Sequence, residues 1–216
     1  MENKKESFFQ KIISNPIFFL IAIILIFAVI FYFFGNKEEG GSMNSIYNYD
    51  DSVVVIVEYG DYQCPACISS YTMIEQILKE YEGKVKLDYR HFPLPGHKFA
   101  LKASIVAECA REQGKFWEMH AKLYESAGKL DENSLNEYAK ELGLDEKKYS
   151  DCFNHNKYIE TINEQKRQGI KDKISGTPTF FINGKRIVNL KDSKYLPNIE
   201  DFRREIDAEL EKNSIK

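Results

Sequence analysis

Residues 53–67 read Val53-Val54-Val55-Ile56-Val57-Glu58-Tyr59-Gly60-Asp61-Tyr62-Gln63-Cys64-Pro65-Ala66-Cys67. The β-branched run at the start predicts a strand buried on both faces. Met73, Ile74, Ile77 and Leu78 then carry helical spacing, so Cys64 falls at a strand-to-helix junction. At a helix N-terminus, unpaired N–H groups and the positive end of the dipole favour a thiolate. Cys67 lies one turn inward, in reach of a mixed disulfide formed at Cys64, so the pair has the spacing to cycle between dithiol and disulfide. Pro65 suits the first helical turn. Glu58 interrupts the buried run; an unpaired carboxylate there should stay protonated, unless the residue faces solvent at an edge.

Working outward, Val85-Lys86-Leu87-Asp88-Tyr89 alternates and predicts a second strand, parallel to the first through a helical crossover. His91-Phe92-Pro93-Leu94-Pro95-Gly96 breaks regular structure, and residues from about 97 to 173 are helical in character. Leu101, Ile105 and Cys109, with Val106, form one apolar stripe; Phe116, Trp117, His120 and Leu123 begin the next helix. Asp131 and Asp145 are candidate caps for two further helices, the second carrying Tyr149, Cys152 and Phe153, and Gly143 separates them. A longer helix is predicted from Tyr158 to about Ile170. Thr179–Ile182, Asn183-Gly184 and Lys185–Val188 read as a hairpin, because both turn positions accept positive φ. Ile199, Phe202, Ile206 and Leu210 trace a C-terminal helix that Asn198 can cap. A βαβ half, a helical insertion and a ββα half imply an α/β sandwich.

The N-terminal region differs in kind. Residues 16–34, PIFFLIAIILIFAVIFYFF, hold no charge, and as a helix would span about 28 Å, close to the hydrocarbon thickness of a bilayer. Lys4, Lys5 and Lys11 precede it and Lys37 stands beside Glu38 and Glu39 after it, so residues 1–15 are expected in the cytoplasm and everything past Phe34 outside. A cleaved signal peptide is the competing reading, but Phe31-Tyr32-Phe33-Phe34 puts bulky residues where cleavage needs small ones. The expected organisation is a tail (1–15), a transmembrane signal anchor (16–34), a linker (35–49) and one exported domain (50–216). With 30 Lys+Arg against 33 Asp+Glu the net charge is −3, which argues against a strongly basic nucleic-acid binder.

The four cysteines leave a zinc reading little support, because Cys109 and Cys152 stand outside any CxxC or HxxxH spacing; no metal or other cofactor is implied. A purely structural local disulfide remains the alternative for Cys64 and Cys67. Cys109 and Cys152 fall on apolar helix faces, where two buried free thiols are the plain expectation. His91, His97, His120 and His155 lack metal-like spacing and read as structural or exposed.

Four segments, Glu58–Cys67 (EYGDYQCPAC), His91–Leu94 (HFPL), Cys109–His120 (CAREQGKFWEMH) and Gly176–Gly184 (GTPTFFING), together resemble the DsbA-like thiol:disulfide oxidoreductases of the thioredoxin superfamily. The resemblance implies a thioredoxin fold with a helical insertion. It also implies a cis peptide bond at Thr177-Pro178, beside the CxxC, where the backbone pairs with an extended substrate; a trans proline starting the strand is the alternative. The family's acid six residues before the first cysteine maps to Glu58, assisting proton transfer at Cys67. A second disulfide inside the insertion, known among family members, would join Cys109 to Cys152. The substrates implied are thiols of exported proteins, with a quinone-linked membrane oxidase as possible partner. Many DsbA-type oxidants carry His where this chain has Ala66, which should make the pair less oxidising and keeps a reductase or isomerase open. A tethered peptide-binding or chaperone module with a structural CxxC is the non-catalytic alternative.

Overall fold

The computed structural model describes residues 53–214, apart from 190, 191, 193 and 195. The expected tail, transmembrane anchor and linker lie outside the described residues. Among the described residues, no helix is long and apolar enough to cross a membrane.

The chain runs β1 (Val54–Gly60), α1 (Pro65–Glu80), β2 (Val85–His91), then five helices, α2 (Ala100–Arg111), α3 (Phe116–Glu125), α4 (Glu132–Glu141), α5 (Glu146–Asn154) and α6 (Ile159–Lys171). A hairpin of β3 (Thr179–Ile182) and β4 (Lys185–Arg186) follows, and α7 (Ile199–Ser214) ends the described chain. The sheet order is β2-β1-β3-β4, with β1 parallel to β2 and antiparallel to β3. This central place explains why every residue of β1 is buried, as its unbroken β-branched run requires.

Alternation along β1 divides the core. Val54 and Ile56 join Ile74 and Ile77 of α1, Phe180 of β3 and Phe202 and Ile206 of α7 in one cluster. Tyr59, on the opposite face, donates from its hydroxyl to Asp172 just past α6 (2.8 Å) and accepts from Arg90 (3.0 Å). A second cluster is built by α2–α5 and reaches back to Tyr62, Cys64, Cys67 and Tyr89. The CxxC turn therefore stands where sheet and helical insertion meet.

Local signals act as the sequence suggests. Asp131 accepts from the N–H groups of Asn133 and Ser134, Asp145 from that of Lys148, and Asn198 from those of Glu200 and Asp201. Asn183 and Gly184 both take positive φ (46° and 82°), the hairpin geometry that other residues resist. One detail differs from the sequence reading. β4 stops at Arg186 rather than Val188: the N–H of Ile187 still donates to the carbonyl of Phe180 (3.0 Å), whereas Val188 is 43% exposed. Trp117 is 48% exposed, because α3 turns His120 and Leu123 inward and leaves the indole at its edge. Cys109 on α2 and Cys152 on α5 are joined by a disulfide (S–S 2.01 Å).

Candidate active site

Cys64 caps α1 with extended backbone (φ −74°, ψ 121°), and Pro65 occupies the first turn, where its missing N–H costs nothing. The turn is held from below by Asp61, which is fully buried. Its carboxylate accepts from the N–H of Gln63 (2.8 Å) and of Leu94 (2.8 Å) and pairs with His97 Nδ1 (2.7 Å), while Gln63 Oε1 accepts from the N–H of Phe99 (2.7 Å). These bonds staple the CxxC turn to the segment after β2. Neither Asp61 nor His97 stood out in the sequence; the DYQC run, placed two residues into a tight turn, was the available signal for Asp61.

Both site thiols are free and buried, Cys67 completely. The Cys64 sulfur lies 3.3 Å from the carbonyl oxygen of Thr177, to which it donates while protonated, across from the cis Thr177-Pro178 bond. A hydrogen bond from Cys67 is the main cause that lowers the Cys64 pKa to about 5; burial opposes it, while Thr177 and the N–H groups of Cys67 and Ala66 reinforce it. The Thr177 hydroxyl is buried and has no hydrogen-bond partner among the described residues. Burial, and the hydrogen bond that Cys67 gives to Cys64, push the Cys67 thiol far up, so at neutral pH one sulfur is a thiolate and the other holds its proton.

Glu58 faces α1 beside Val54 and Ile56 in the alternation, and burial raises its pKa to about 8. Its charge adds to the cost of ionising Cys67. Across the parallel ladder it stands opposite Tyr89, and across the antiparallel one opposite Phe180. The structure thus brings Glu58, Cys64, Pro65, Ala66, Cys67, Thr177 and Pro178 to one end of the sheet, whereas Cys109 and Cys152 belong to the helical insertion.

Of the histidines, only His155 is an exposed surface residue. His91 is fully buried and bonds through Nε2 to Glu108 (2.8 Å). Despite burial, the hydrogen bonds from His91 and Arg111 hold the Glu108 carboxyl below its ordinary range. His120 is buried against Tyr62, a placement that a fold-blind reading of spacing could not supply. Among the described residues, no group of three or more His, Cys, Asp or Glu side chains is arranged to hold a metal ion.

A buried parallel strand feeding a CxxC at a helix N-terminus, opposite a cis proline, defines a thioredoxin-type protein. The thioredoxin family model matches residues 48–208, and the chain belongs to that family. Its helical insertion is shared with solved thiol-disulfide exchange proteins. Oxidised BdbD from Bacillus subtilis superposes with a TM-score of 0.66 at 23% identity, over 76% of this chain and 90% of that one. The thiol-disulfide exchange protein alpha-DsbA2 from Wolbachia pipientis gives 0.63 at 24%, over 74% and 83%. In sequence the chain is 29% identical to the probable disulfide bond formation protein D of Bacillus anthracis, over 76% of each. It is also 35% identical over 137 residues to the Na(+)/H(+) antiporter NhaA 1 of Salinispora arenicola, matching 63% of this chain and 21% of that protein. The chain thus spans about a fifth of such curated relatives, which carry a similar segment within a much longer protein.

Proposed function

We propose that this protein is a thiol:disulfide oxidoreductase of the DsbA type, tethered to the cell membrane by residues 16–34, that introduces or exchanges disulfides in exported proteins through Cys64 and Cys67. One observation carries the reading: an activated Cys64 beside the Thr177-Pro178 backbone, with a protonated Cys67 sealed behind it. In the oxidising direction a substrate thiolate attacks Cys64 of the oxidised pair, forming a mixed disulfide and expelling Cys67. A second substrate thiolate then attacks the substrate sulfur, releasing oxidised product and leaving Cys64 as a thiolate.

The low Cys64 pKa favours the reduced enzyme and hence the oxidising direction; the Bacillus relative's name points the same way. Ala66 argues the other way, since it offers no imidazole to the thiolate, and this supports the reductase or isomerase alternative. Glu58 is assigned the proton transfer at Cys67, Thr177 and Pro178 the substrate backbone, and Cys109–Cys152 a structural bond. Continued oxidation requires an acceptor of the electrons left on Cys64 and Cys67, for which a quinone-linked membrane protein is the fitting partner.

The test pairs two assays on the full chain: oxidation of a reduced, unfolded protein carrying native disulfides, and equilibration of the site with glutathione buffers. The proposal expects activity that Cys64→Ser abolishes and a potential above that of a cytosolic reductant. Activity unchanged in Cys64→Ser would return the protein to the non-catalytic binding alternative. A potential as low as thioredoxin's, about −270 mV, would reverse the assigned direction.

A further inference from the structure

Resting on the assignment of Cys64 as the exchanging thiol and of Thr177-Pro178 as the partner of the substrate backbone, we propose that Arg186, aided by Lys194, determines specificity. The groove they line selects substrate segments that carry an aspartate or glutamate two to four residues from the reacting cysteine.

The groove begins where the chemistry is. Thr177 and Pro178 line an opening of about 340 Å³ whose other walls include Arg186, Val188, Lys194 and Leu196. Thr177 is also the residue whose carbonyl oxygen lies 3.3 Å from the Cys64 sulfur. The opening exists because the sheet stops short. β4 is an edge strand of two residues, and beyond it the N–H of Ile187 makes a last bond to β3, at the carbonyl of Phe180 (3.0 Å). Apolar surface is left uncovered there. Among the described residues, the large apolar side chains left exposed are Trp117, Ile170, Val188 and Leu196, and the last two both line this groove. An apolar strip with a polar rim, beside a short sheet edge, suits an extended polypeptide segment.

The charge of the rim has one sign. Lys185 and Arg186 are consecutive on β4, so they leave the strand on opposite faces. Lys185 is neutralised by Glu205 of α7 (2.6 Å), whereas Arg186 lines the groove and has no ion-pair partner among the described residues. Lys194 brings a second cation from the segment after β4. The neighbouring Asp192 is turned back on its own loop, where its carboxylate accepts from the Lys194 N–H (2.9 Å), and among the described residues no acidic side chain lines the groove. Two cations beside an apolar strip favour a segment that is apolar and acidic, and repel a basic one. The whole chain carries the opposite sign, a net charge of −3, so its long-range field does not draw acidic substrates. A preference for them has to arise locally.

The sheet register gives the position of the charge as well as its sign. Arg186 stands opposite Phe181, three residues past Pro178. At about 3.4 Å per residue that is about 10 Å, the length of three residues of an extended segment lying alongside. A substrate cysteine held at Cys64 and Thr177 therefore presents to the guanidinium a side chain two to four residues away, the long arginine covering the spread.

The experiment measures how fast single-cysteine peptides in excess reduce the oxidised full chain. Two peptides are consumed per turnover: the first forms a mixed disulfide with Cys64, and the second releases it as a peptide–peptide disulfide, leaving Cys64 and Cys67 reduced. The peptides carry Glu, Gln or Lys three residues from the cysteine, on its N-terminal side in one set and its C-terminal side in the other. Each rate is divided by that of an uncharged small thiol on the same protein, which removes folding defects. Each peptide is also calibrated against a small uncharged disulfide, which removes differences between the peptide thiols. In at least one set the Glu peptide should react about three- to tenfold faster than the Lys peptide at low ionic strength, the size expected when exposed charge pairs change from attraction to repulsion. Salt at about 0.5 M should shrink the difference. Arg186→Lys should keep the order, Lys194→Glu should narrow it, and Arg186→Glu should reverse it. Equal rates for Glu and Lys peptides in both sets, or an order unchanged in Arg186→Glu, would overturn the selectivity and leave exchange at Cys64 standing. No reaction with any peptide, or reaction undiminished in Cys64→Ser, would instead remove the reading beneath it.

Discussion

Removing the Cys67 thiol should raise the pKa of Cys64, and the size of the change follows from the hydrogen bond between them. That bond is the largest cause of the lowering to about 5. A hydrogen bond to a charged acceptor contributes about 1.5–3 kcal/mol, which corresponds to about 1–2 pH units. Cys67→Ala should therefore move the Cys64 midpoint to about 6–7, and Cys67→Ser, which keeps a donor, should move it less. The assay is the rate of iodoacetamide alkylation of Cys64 against pH, because only the thiolate reacts. The consequence extends to redox balance. A depressed thiol pKa stabilises the reduced protein in full above the unperturbed value of 9.0, progressively less as pH falls, and not at all below about 5. At pH 7 the two units between amount to about 2.7 kcal/mol, or roughly 1–3 kcal/mol once screening at the partly open site is allowed for, equivalent to about 20–60 mV toward an oxidant. A parent midpoint near 9, or a Cys67→Ala midpoint still near 5, would refute the reasoning.

Three further outcomes are expected. Glu58 keeps its proton to about pH 8 in the folded state while the unfolded chain releases it near 4.5, so stability should decline as pH rises between these values; Glu58→Gln should flatten that slope and stabilise the protein by about 2–3 kcal/mol at pH 7, read from denaturant midpoints. Opening the Cys109–Cys152 bond by a double Cys→Ala change releases a closed loop of sequence separation 43 and should cost about 4 kcal/mol of unfolding free energy in the chain-entropy model. Gly60→Ala drives a methyl group into the Tyr89 ring and should cost about 1–3 kcal/mol by thermal unfolding; a change within about 0.5 kcal/mol would show that Tyr89 has room to move.

Much of the fold is legible because its signals are local. The Val54–Tyr59 run, the Asp131 and Asp145 caps, the Asn183-Gly184 turn and the spacing of Phe202 and Ile206 each state a backbone preference within a few residues, and the elements follow. The hairpin's second arm was overextended because Ile187 bonds to Phe180 but Val188 has no strand beside it, and edge pairing depends on a neighbour that the pattern cannot reveal.

The candidate site divides along the same line. By itself the sequence determined that a thiol pair lies at a helix N-terminus after a buried strand, because strand, proline and cysteine spacing are all encoded within fifteen consecutive residues. Only the tertiary structure decided that Cys64 lies against Thr177, a contact across 113 positions, that Asp61 secures the turn through Leu94 and His97, and that Tyr62, Tyr89 and His120 pack on one another, with Tyr89 opposite Glu58. Those groups come from the β1–α1 turn, β2 and α3, and their chemistry arises from exclusion of water, which raises Glu58, silences Cys67 and makes each hydrogen bond count. Exclusion of water is a property of the packed interior where sheet and insertion meet, and no stretch of chain possesses it before folding.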